Sequence, residues 1–311
     1  MWFVYNKVFD QGLLKKGGTK IRISLECLQC QLNQAANMAI KHIADNQDRA
    51  LFFLQVLRET GNIDENTIAP VLAGKIHRVF RGFTNNSDPY GKDKDFYNQK
   101  VLSMEGEFEG FIESAVDRFL AAVKLAAAGN VIDFGAIPDL DSATVIGVIQ
   151  EIMKKEFTSS FLVDLQRDLA AAHRLLYLGD NAGEVVFDKF LIKEIKKLYP
   201  ELKIFFATRG KPVINDITEH DAKIAGIDQY ARVINNGTDY PGTVLSECDR
   251  RFLQIFNQAD VVISKGQGNF ESLVEADRKI YFIFLCKCSY FEKKLGMGKN
   301  EIVLYCNKQV E

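Results

Sequence analysis

The second half of the chain alternates short apolar runs with amphipathic stretches, and this pattern limits the possible folds more than any other feature. After Arg174 the runs are RLLYLG, KIFFAT, ARVINN, DVVISKG, KIYFIFLC and EIVLYC. Two of the stretches between them, VVFDKFLIKEIKKLY and TVLSECDRRFLQIF, have helical periodicity. Buried strands that alternate with helices are typical of βα units, so we predict an α/β fold with a mostly parallel sheet.

The first half has a different pattern. From Glu26 to about Leu125 apolar residues recur at helical spacing, with few β-branched runs. We therefore predict a helical lobe at residues 25–140 and an α/β catalytic core at residues 141–311. The sequence leaves open whether the lobe stands apart or packs on the sheet. Residues 1–24 are poorly patterned and are interpreted as a peripheral arm or a leader.

Composition narrows the class of partner. The chain has 311 residues, 47% of them apolar, which is enough for one large core or two ordinary ones. Its 39 basic and 41 acidic residues nearly balance, and no long run of one sign would attract nucleic acid or anionic lipid. No window of about 18 apolar residues occurs. We expect a cytoplasmic protein with a small-molecule partner and no contact with nucleic acid or membrane; the oligomeric state is left open.

Polar residues cluster directly after the predicted strands. The first strand is followed by 179–184 (GDNAGE), the second by Thr208 and then Asn215-Asp216, the third by 235–243 and the fourth by 264–271 (SKGQGNFE). In open parallel sheets, ligands bind beyond the carboxyl ends of the strands, where such loops converge. These residues are therefore the first place to look for a site.

The chemistry of two segments suggests a metal and a phosphate. Carboxylate and amide oxygens suit divalent cations, so we predict that Asp180, Asn181 and Asp216 hold one metal ion. Lys265 beside glycines offers a cation and approachable backbone amides, the combination that phosphate requires. Each segment also has an ordinary structural interpretation, as an Asx turn, a helix N-cap or a glycine turn.

At these residues the sequence resembles the damage-control phosphatase family, formerly domain of unknown function 89, in its cysteine-containing prokaryotic branch. The similarity spans nearly everything after residue 24 and is carried by Cys27-Leu28-Gln29-Cys30-Gln31, Asp88-Pro89-Tyr90 with Lys94 and Asn98, Gly129-Asn130-Val131-Ile132-Asp133-Phe134, Gly179-Asp180-Asn181-Ala182-Gly183-Glu184, Asn215-Asp216, Gly237-Thr238-Asp239 and Lys265-Gly266-Gln267-Gly268-Asn269.

This resemblance implies a three-layer, doubly wound α/β/α core with an N-terminal helical lobe. It also implies metal-dependent hydrolysis of phosphate monoesters of small metabolites, such as sugar phosphates, as metabolite damage control. The expected cofactor is Mg²⁺, Mn²⁺, Co²⁺ or Ni²⁺. By position, Asp180, Asn181 and Asp216 match the metal ligands, and Lys265 matches the phosphate-contacting lysine.

The resemblance also implies a wider set of roles. Asp180 and Lys265 are the expected catalytic residues, and the attacking group is Asp180 or a water molecule, with water favoured. The residues expected to bind substrate are Asn130, Glu184, Thr208, Asp239, Lys265, Gly266, Gly268 and Glu271.

The cysteines allow a further hypothesis. Cys27 and Cys30 have the spacing of half a zinc site, and Cys286 or Cys288 could complete a second metal site, with Cys288 the preferred choice. Buried structural thiols are an equal alternative, and redox sensing is a third.

Two other functions fit parts of the sequence. A methyltransferase using S-adenosylmethionine would suit a doubly wound core, although metal ligation explains the Asp180 segment better. A non-catalytic protein that binds phosphate or nucleotide would use the Lys265 segment without hydrolysis, but the chain has no G-x-x-x-x-G-K-[ST] loop.

Overall fold

The structure is a computed structural model that describes residues 21–129, 141–155, 157, 159–296, 298 and 301–308. The described part contains thirteen α-helices. They are α1 (Leu25–His42), α2 (Asn46–Gly61), α3 (Ala69–Thr84), α4 (Gly91–Leu102), α5 (Glu105–Glu113), α6 (Arg118–Ala128), α7 (Ser142–Lys154), α8 (Ser160–Ala171), α9 (Glu184–Leu198), α10 (Glu219–Ile224), α11 (Arg250–Gln258), α12 (Gln267–Leu273) and α13 (Ser289–Leu295). None of them combines the length and apolar character needed to cross a bilayer.

The described strands form one six-stranded sheet. They are β1 (Arg174–Leu178), β2 (Lys203–Thr208), β3 (Arg232–Asn235), β4 (Val261–Lys265), β5 (Tyr281–Leu285) and β6 (Ile302–Cys306). Their order is β3-β2-β1-β4-β5-β6, and every pairing is parallel except that of β5 with the antiparallel β6. Each of the six apolar runs in the sequence contains one strand, so the predicted mostly parallel α/β sheet is confirmed.

The sheet has a buried core on each face, as the predicted three-layer architecture requires. Alternate residues of β1 point to opposite faces. Leu175 and Tyr177 join the core with α6 and α9, whereas Leu176 and Leu178 join the core with α11 to α13. Because both faces are covered, the central residues of the strands are mostly apolar and do not alternate with polar residues.

The helical half of the chain packs directly on the sheet. Nine of the eleven residues of α6 are buried, because its alanine-rich sequence is apolar on all sides. This helix packs against α9, β5 and β6. Helices α1 to α3 have their own smaller core, which includes Phe52 and Phe80, and α3 contacts α12. The sequence left the choice between a separate and a packed lobe open, and the contacts show the packed arrangement.

Two predicted segments differ in detail. The stretch TVLSECDRRFLQIF is a short 3-10 turn (Leu245–Glu247) followed by α11, because the Asp249 side chain accepts a hydrogen bond from the Phe252 amide and starts a new helix. The last residues of the predicted arm are attached to the core: Ile21 is 2% exposed, and Arg22 forms an ion pair with Glu275. The rest of that segment, residues 1–20, lies outside the described residues.

Candidate active site

The strand order reverses between β1 and β4, and the candidate site lies at that point. Strand β1 leads to β2 on one side of the sheet, and β4 leads to β5 on the other, so the loops after β1 and β4 diverge. A crevice beyond the carboxyl ends of the strands is expected at such a reversal. The loop after β1 carries Asp180 and Asn181, and the loop after β4 begins at Gly266.

Backbone hydrogen bonds join the loop after β1 to the loop that carries Asp216. Asn181 and Asp216 form an antiparallel bridge. On either side of it the Ile217 amide donates to the Asp180 carbonyl, and the Ala182 amide donates to the Asn215 carbonyl, both at 2.9 Å. The structure therefore brings the three predicted metal ligands together, although they are up to 36 positions apart in the chain (216 − 180).

Arg209 lies between the two carboxylates. Its Nε donates to Asp216 Oδ2 at 2.7 Å, and its Nη2 donates to Asp180 Oδ1 at 3.4 Å. Burial raises the pKa of Asp180 well above its usual range, and the nearby Glu184 and Asp216 raise it further, while Arg209 opposes them. Burial also raises the pKa of Asp216 to about 6. One guanidinium does not offset this crowding of carboxylates, so an added cation would be stabilised here.

The donor set fits a hard divalent cation. Asn181 Nδ2 donates to Asp180 Oδ2 at 2.7 Å. The ligands would be two carboxylates and one amide oxygen, which is the oxygen chemistry that Mg²⁺ and Mn²⁺ prefer, with water or substrate oxygens completing the shell. In the described part of the chain no three or more His, Cys, Asp or Glu side chains are grouped to hold a metal. The third ligand of the predicted set is accordingly an amide, that of Asn181, and not a third carboxylate.

Glycine 266 makes room for the Asp180 carboxylate. Its φ is +78°, and a Cβ placed there would lie 1.9 Å from Asp180 Oδ2. The predicted glycine turn thus has a steric purpose at the predicted metal ligands. Its amide donates to the Ile283 carbonyl at 3.2 Å, which occupies that N–H within the sheet.

A cavity of about 200 Å³ opens over these side chains. Asp180, Asn181 and Asp216 lie on one side of it, and α1 and α3 of the helical lobe form the opposite wall with Gln31, Ala69, Pro70 and Ala73. Gly268 and Glu271 complete the predicted residues in its lining. The reactive groups therefore come from the sheet and the small wall residues from the lobe.

Two further residues of the lining stand out. Ile214 has a φ of +46°, which is uncommon for a β-branched residue and indicates local backbone strain. Burial raises the pKa of Glu271 to about 7, and a hydrogen bond from Gln267 at 3.2 Å opposes this rise. Glu271 is partly exposed, so its carboxyl can exchange a proton with molecules in the cavity.

Lys265 lies beneath the cavity and does not line it. Its side chain is 0% exposed. The ammonium donates to the Ala126 carbonyl and to Glu184 Oε1, each at 2.8 Å, and it pairs with Asp188. To reach a phosphate in the cavity, this ammonium would have to leave two carboxylates. The phosphate-contacting role of Lys265 stays a prediction.

A family model described as the damage-control phosphatase ARMT1-like domain matches residues 23–303. The chain belongs to this family. It is 33% identical to an uncharacterized protein of Methanocaldococcus jannaschii over 94% of this chain and 98% of that protein. It is 32% identical to a damage-control phosphatase of Pyrococcus horikoshii over 93% of this chain and 99% of that protein. The crystal structure of a DUF89 family protein from Pyrococcus horikoshii superposes with a TM-score of 0.80 at 30% identity, covering 93% of this chain and all of that one.

Other residues predicted from the family resemblance lie away from the cavity lining. Glu184 is 0% exposed; besides Lys265 it accepts a hydrogen bond from Asn181 Nδ2 at 3.4 Å. The Thr208 hydroxyl donates to the backbone carbonyls of Arg209 and Ile234. Asp239 is held by two arginines of α3, at positions 78 and 81. The remaining predicted residue, Asn130, lies outside the described residues.

The second metal site suggested for Cys27, Cys30 and Cys288 stays a prediction. Cys27 and Cys30 lie on α1, and Cys288 precedes α13. Burial raises the pKa of Cys30, and the neighbouring Cys288, Cys27 and Glu271 add to the rise. Because no three such side chains are grouped to hold a metal in the described part, the structure gives that hypothesis no support.

Two buried residues near the site, Arg209 and Asp221, were not assigned a role from the sequence. Arg209 directly follows β2, so its position after a strand end was a signal that could have found it. Asp221 lies on α10 and forms a capping box with Thr218. The T-x-x-D spacing from Thr218 to Asp221 was the signal for this cap.

Proposed function

We propose that this chain hydrolyses phosphate monoesters of small metabolites, sugar phosphates among them, with a divalent metal ion held by Asp180, Asn181 and Asp216. The observation that carries the proposal is the pair of buried carboxylates that borders a cavity, with Arg209 bonded to both of them. Relatives named damage-control phosphatase, 32% and 28% identical to this chain, support the reaction class and a role in metabolite repair.

The dimensions of the cavity favour a small substrate. About 200 Å³ is space for a phosphoryl group and a compact organic group, and not for a polymer. The wall contributed by Ala69, Pro70 and Ala73 is apolar and offers no cation to a second phosphate. We therefore expect a monophosphate as the substrate and a cytoplasmic location, where such metabolites are found.

The chain's own residues account for binding and for the proton. A bound divalent cation supplies Lewis-acid polarisation and charge neutralisation at the phosphoryl group. Arg209 keeps Asp180 and Asp216 oriented toward the same point. During hydrolysis the bond from phosphorus to the ester oxygen breaks and a bond to the oxygen of the attacking water forms. The water gives up one proton and the leaving oxygen takes one up, so protons balance over the reaction. Glu271, with its pKa of about 7, can deliver the proton to the leaving oxygen near neutral pH.

Water is the favoured attacking group. Both oxygens of Asp180 are already engaged, Oδ1 by Arg209 at 3.4 Å and Oδ2 by Asn181 at 2.7 Å. A carboxylate held in this way by two donors is a poor nucleophile, because both donors stabilise the negative charge that would attack. Incorporation of solvent oxygen into phosphate without an enzyme-bound acyl phosphate is the expected result.

The test is phosphate release from an aryl phosphate by exhaustively chelated protein, with Mg²⁺, Mn²⁺, Co²⁺ or Ni²⁺ added back singly. We expect release only with metal, and loss of that release in Asp180→Asn. Full activity after chelation would refute the proposal. Binding of phosphate without release, under every metal, would favour the non-catalytic alternative. A panel of sugar phosphates then identifies the substrate.

A further inference from the structure

One motif of the sequence has no part in the function proposed so far. Lys94 and Asn98 lie on α4 of the helical lobe, yet they are only 2% and 0% exposed. They face Asp221 on α10, which is 1% exposed. Polar side chains this deeply buried require partners, and these three are partners of one another.

Asn98 connects the two loops that carry the proposed metal ligands. Its Oδ1 accepts a hydrogen bond from the Gly183 amide at 2.7 Å, in the loop that contains Asp180 and Asn181. Its Nδ2 donates to Asp221 Oδ1 at 2.9 Å. The Asn98 side chain therefore accepts a hydrogen bond from the loop after β1 and donates one to Asp221 on α10.

Asp221 continues the connection to the loop that carries Asp216. Its Oδ2 accepts hydrogen bonds from both the amide and the hydroxyl of Thr218, each at 2.8 Å. Thr218 follows Asp216 by two positions. Lys94 Nζ lies 3.5 Å from the same Oδ2 and 2.9 Å from Asp88, so the buried carboxylate has a counter-charge.

We propose that Asn98 and Asp221 are positioning residues that set the separation of Asp180 from Asp216 and so control the affinity for the divalent metal. This inference rests on the proposed function. Ligands held by fixed hydrogen bonds need no reordering when a metal binds, and removal of such outer partners typically weakens metal binding about 10- to 100-fold. The helical lobe would then tune the metal centre without contributing a ligand to it.

An exchange of the two side chains separates positioning from simple burial. Asn98→Asp alone sets two carboxylates against each other, and Asp221→Asn alone sets two amide NH₂ groups against each other. The double variant N98D/D221N restores one donor facing one acceptor, keeps an acceptor for the Gly183 amide and for Thr218, and leaves the net charge unchanged. Tyr281→Phe is the matched control, since it removes a 2.6 Å hydrogen bond to Asp168 near the opposite end of the sheet.

The readout is the Kd for Mn²⁺, measured without substrate by the loss of the free-ion EPR signal, beside the melting temperature of metal-free protein. We expect each single variant to weaken Mn²⁺ binding about tenfold or more, and the double variant to return to within about threefold of wild type. Tyr281→Phe should lower the melting temperature and leave the Kd unchanged.

The outcomes distinguish the positioning role of Asn98 and Asp221 from the proposed metal-dependent phosphatase function. Single variants that melt lower but bind Mn²⁺ as wild type does, or a double variant no better than the singles, would overturn the positioning role alone. A wild type that shows no saturable Mn²⁺ binding would overturn both. If a single variant does not fold, the double variant decides, because it must both fold and bind Mn²⁺ near the wild-type Kd.

Discussion

Two clusters of buried charge lie next to each other in this protein and contain the same set of charges. The open cluster is Asp180, Asp216 and Arg209, which borders the cavity through its two carboxylates. The sealed cluster is Glu184, Asp188 and Lys265, whose side chains are at most 1% exposed. Each has two carboxylates and one cation, but only the first can receive a ligand. Access, and not charge, distinguishes the proposed metal centre from its neighbour.

The two cations also differ in how their clusters are completed. Lys265 donates to a backbone carbonyl besides its two carboxylates, and Asp188 accepts a further hydrogen bond from Tyr177 at 2.7 Å. Burial alone would lower the pKa of Lys265, but Asp188 and Glu184 hold it above its usual range. In the open cluster the pKa of both carboxyls is raised despite Arg209, and in the sealed cluster burial raises the pKa of Asp188 to about 6. The sealed cluster is completed by its own side chains and backbone, whereas an added cation would favour the charged form of the two carboxyls in the open cluster.

The largest effect should come from Lys265→Met. This change leaves Glu184 and Asp188 without their cation in the sealed interior, and removal of one partner of a buried ion pair typically costs about 3 to 5 kcal/mol of folding free energy. Urea denaturation of metal-free protein measures it. The control is Lys154→Met, which removes an exposed pair with Glu151 and should change stability by less than about 1 kcal/mol.

The opposite result for Lys265→Met would also be informative. If Lys265→Met keeps nearly the wild-type stability and instead loses turnover, Lys265 acts on the substrate, as predicted from the sequence. The difference between the two clusters would then not hold.

Asp180→Asn should have the opposite effect to Lys265→Met, with a large loss of turnover and little loss of stability. The pKa of Asp180 is raised by burial first and by Glu184 and Asp216 next, so a neutral amide relieves that cost, and the hydrogen bond that it loses to Arg209 or Asn181 should lower the stability of metal-free protein by only about 1 kcal/mol. Metal-dependent turnover should fall by at least about 100-fold, since a lost ligand should matter at least as much as a lost outer partner. Turnover and urea midpoints on the same preparation check this. A stability loss as large as that of Lys265→Met would show that the open cluster serves folding stability and not metal binding.

Added metal should stabilise the protein through the open cluster and not through the sealed cluster. At 100 times its Kd, a ligand that binds only the native state stabilises it by about 2.7 kcal/mol. We expect this gain with Mn²⁺ in wild type and its loss in Asp180→Asn. The matched variant of the sealed cluster, Tyr177→Phe, lacks only the hydrogen bond to Asp188 and should retain the full gain. An equal loss in both variants would contradict a metal site confined to the open cluster.

The carboxylates of the open cluster were easier to predict from the sequence than the contacts of the sealed cluster. Asp180, Asn181 and Asp216 follow strand ends, and because neighbouring strand ends in a parallel sheet lie at one edge, their convergence could be foreseen. Lys265 also follows this rule, as the last residue of β4. Its ammonium, however, points to α6 and α9, and that direction depends on the packing of helices onto the sheet, which no local pattern encodes. The hydrogen bond that the Gly183 amide donates to Asn98 joins the core to the lobe across 85 positions, and no local pattern predicts it either.

The smallest expected effect concerns Glu271, a carboxyl that borders the open cluster. Burial raises its pKa to about 7 from an ordinary 4.5. Between these values the native carboxyl keeps a proton that the unfolded chain has lost. Its contribution to stability is therefore complete below about pH 4.5 and is lost as the pH rises through about 7.

Glu271→Gln is neutral at every pH and should not lose this contribution. Relative to wild type, the free energy of unfolding of the metal-free variant should increase by about 1 kcal/mol between pH 5 and pH 8, because solvent at this partly exposed group reduces the full effect of the shift. Urea denaturation at both pH values measures it, with the exposed Glu113→Gln as the control that should parallel wild type. If the two variants behave alike, Glu271 is ionised in the native protein at neutral pH. The proton for the leaving oxygen would then have to come from another group in the cavity.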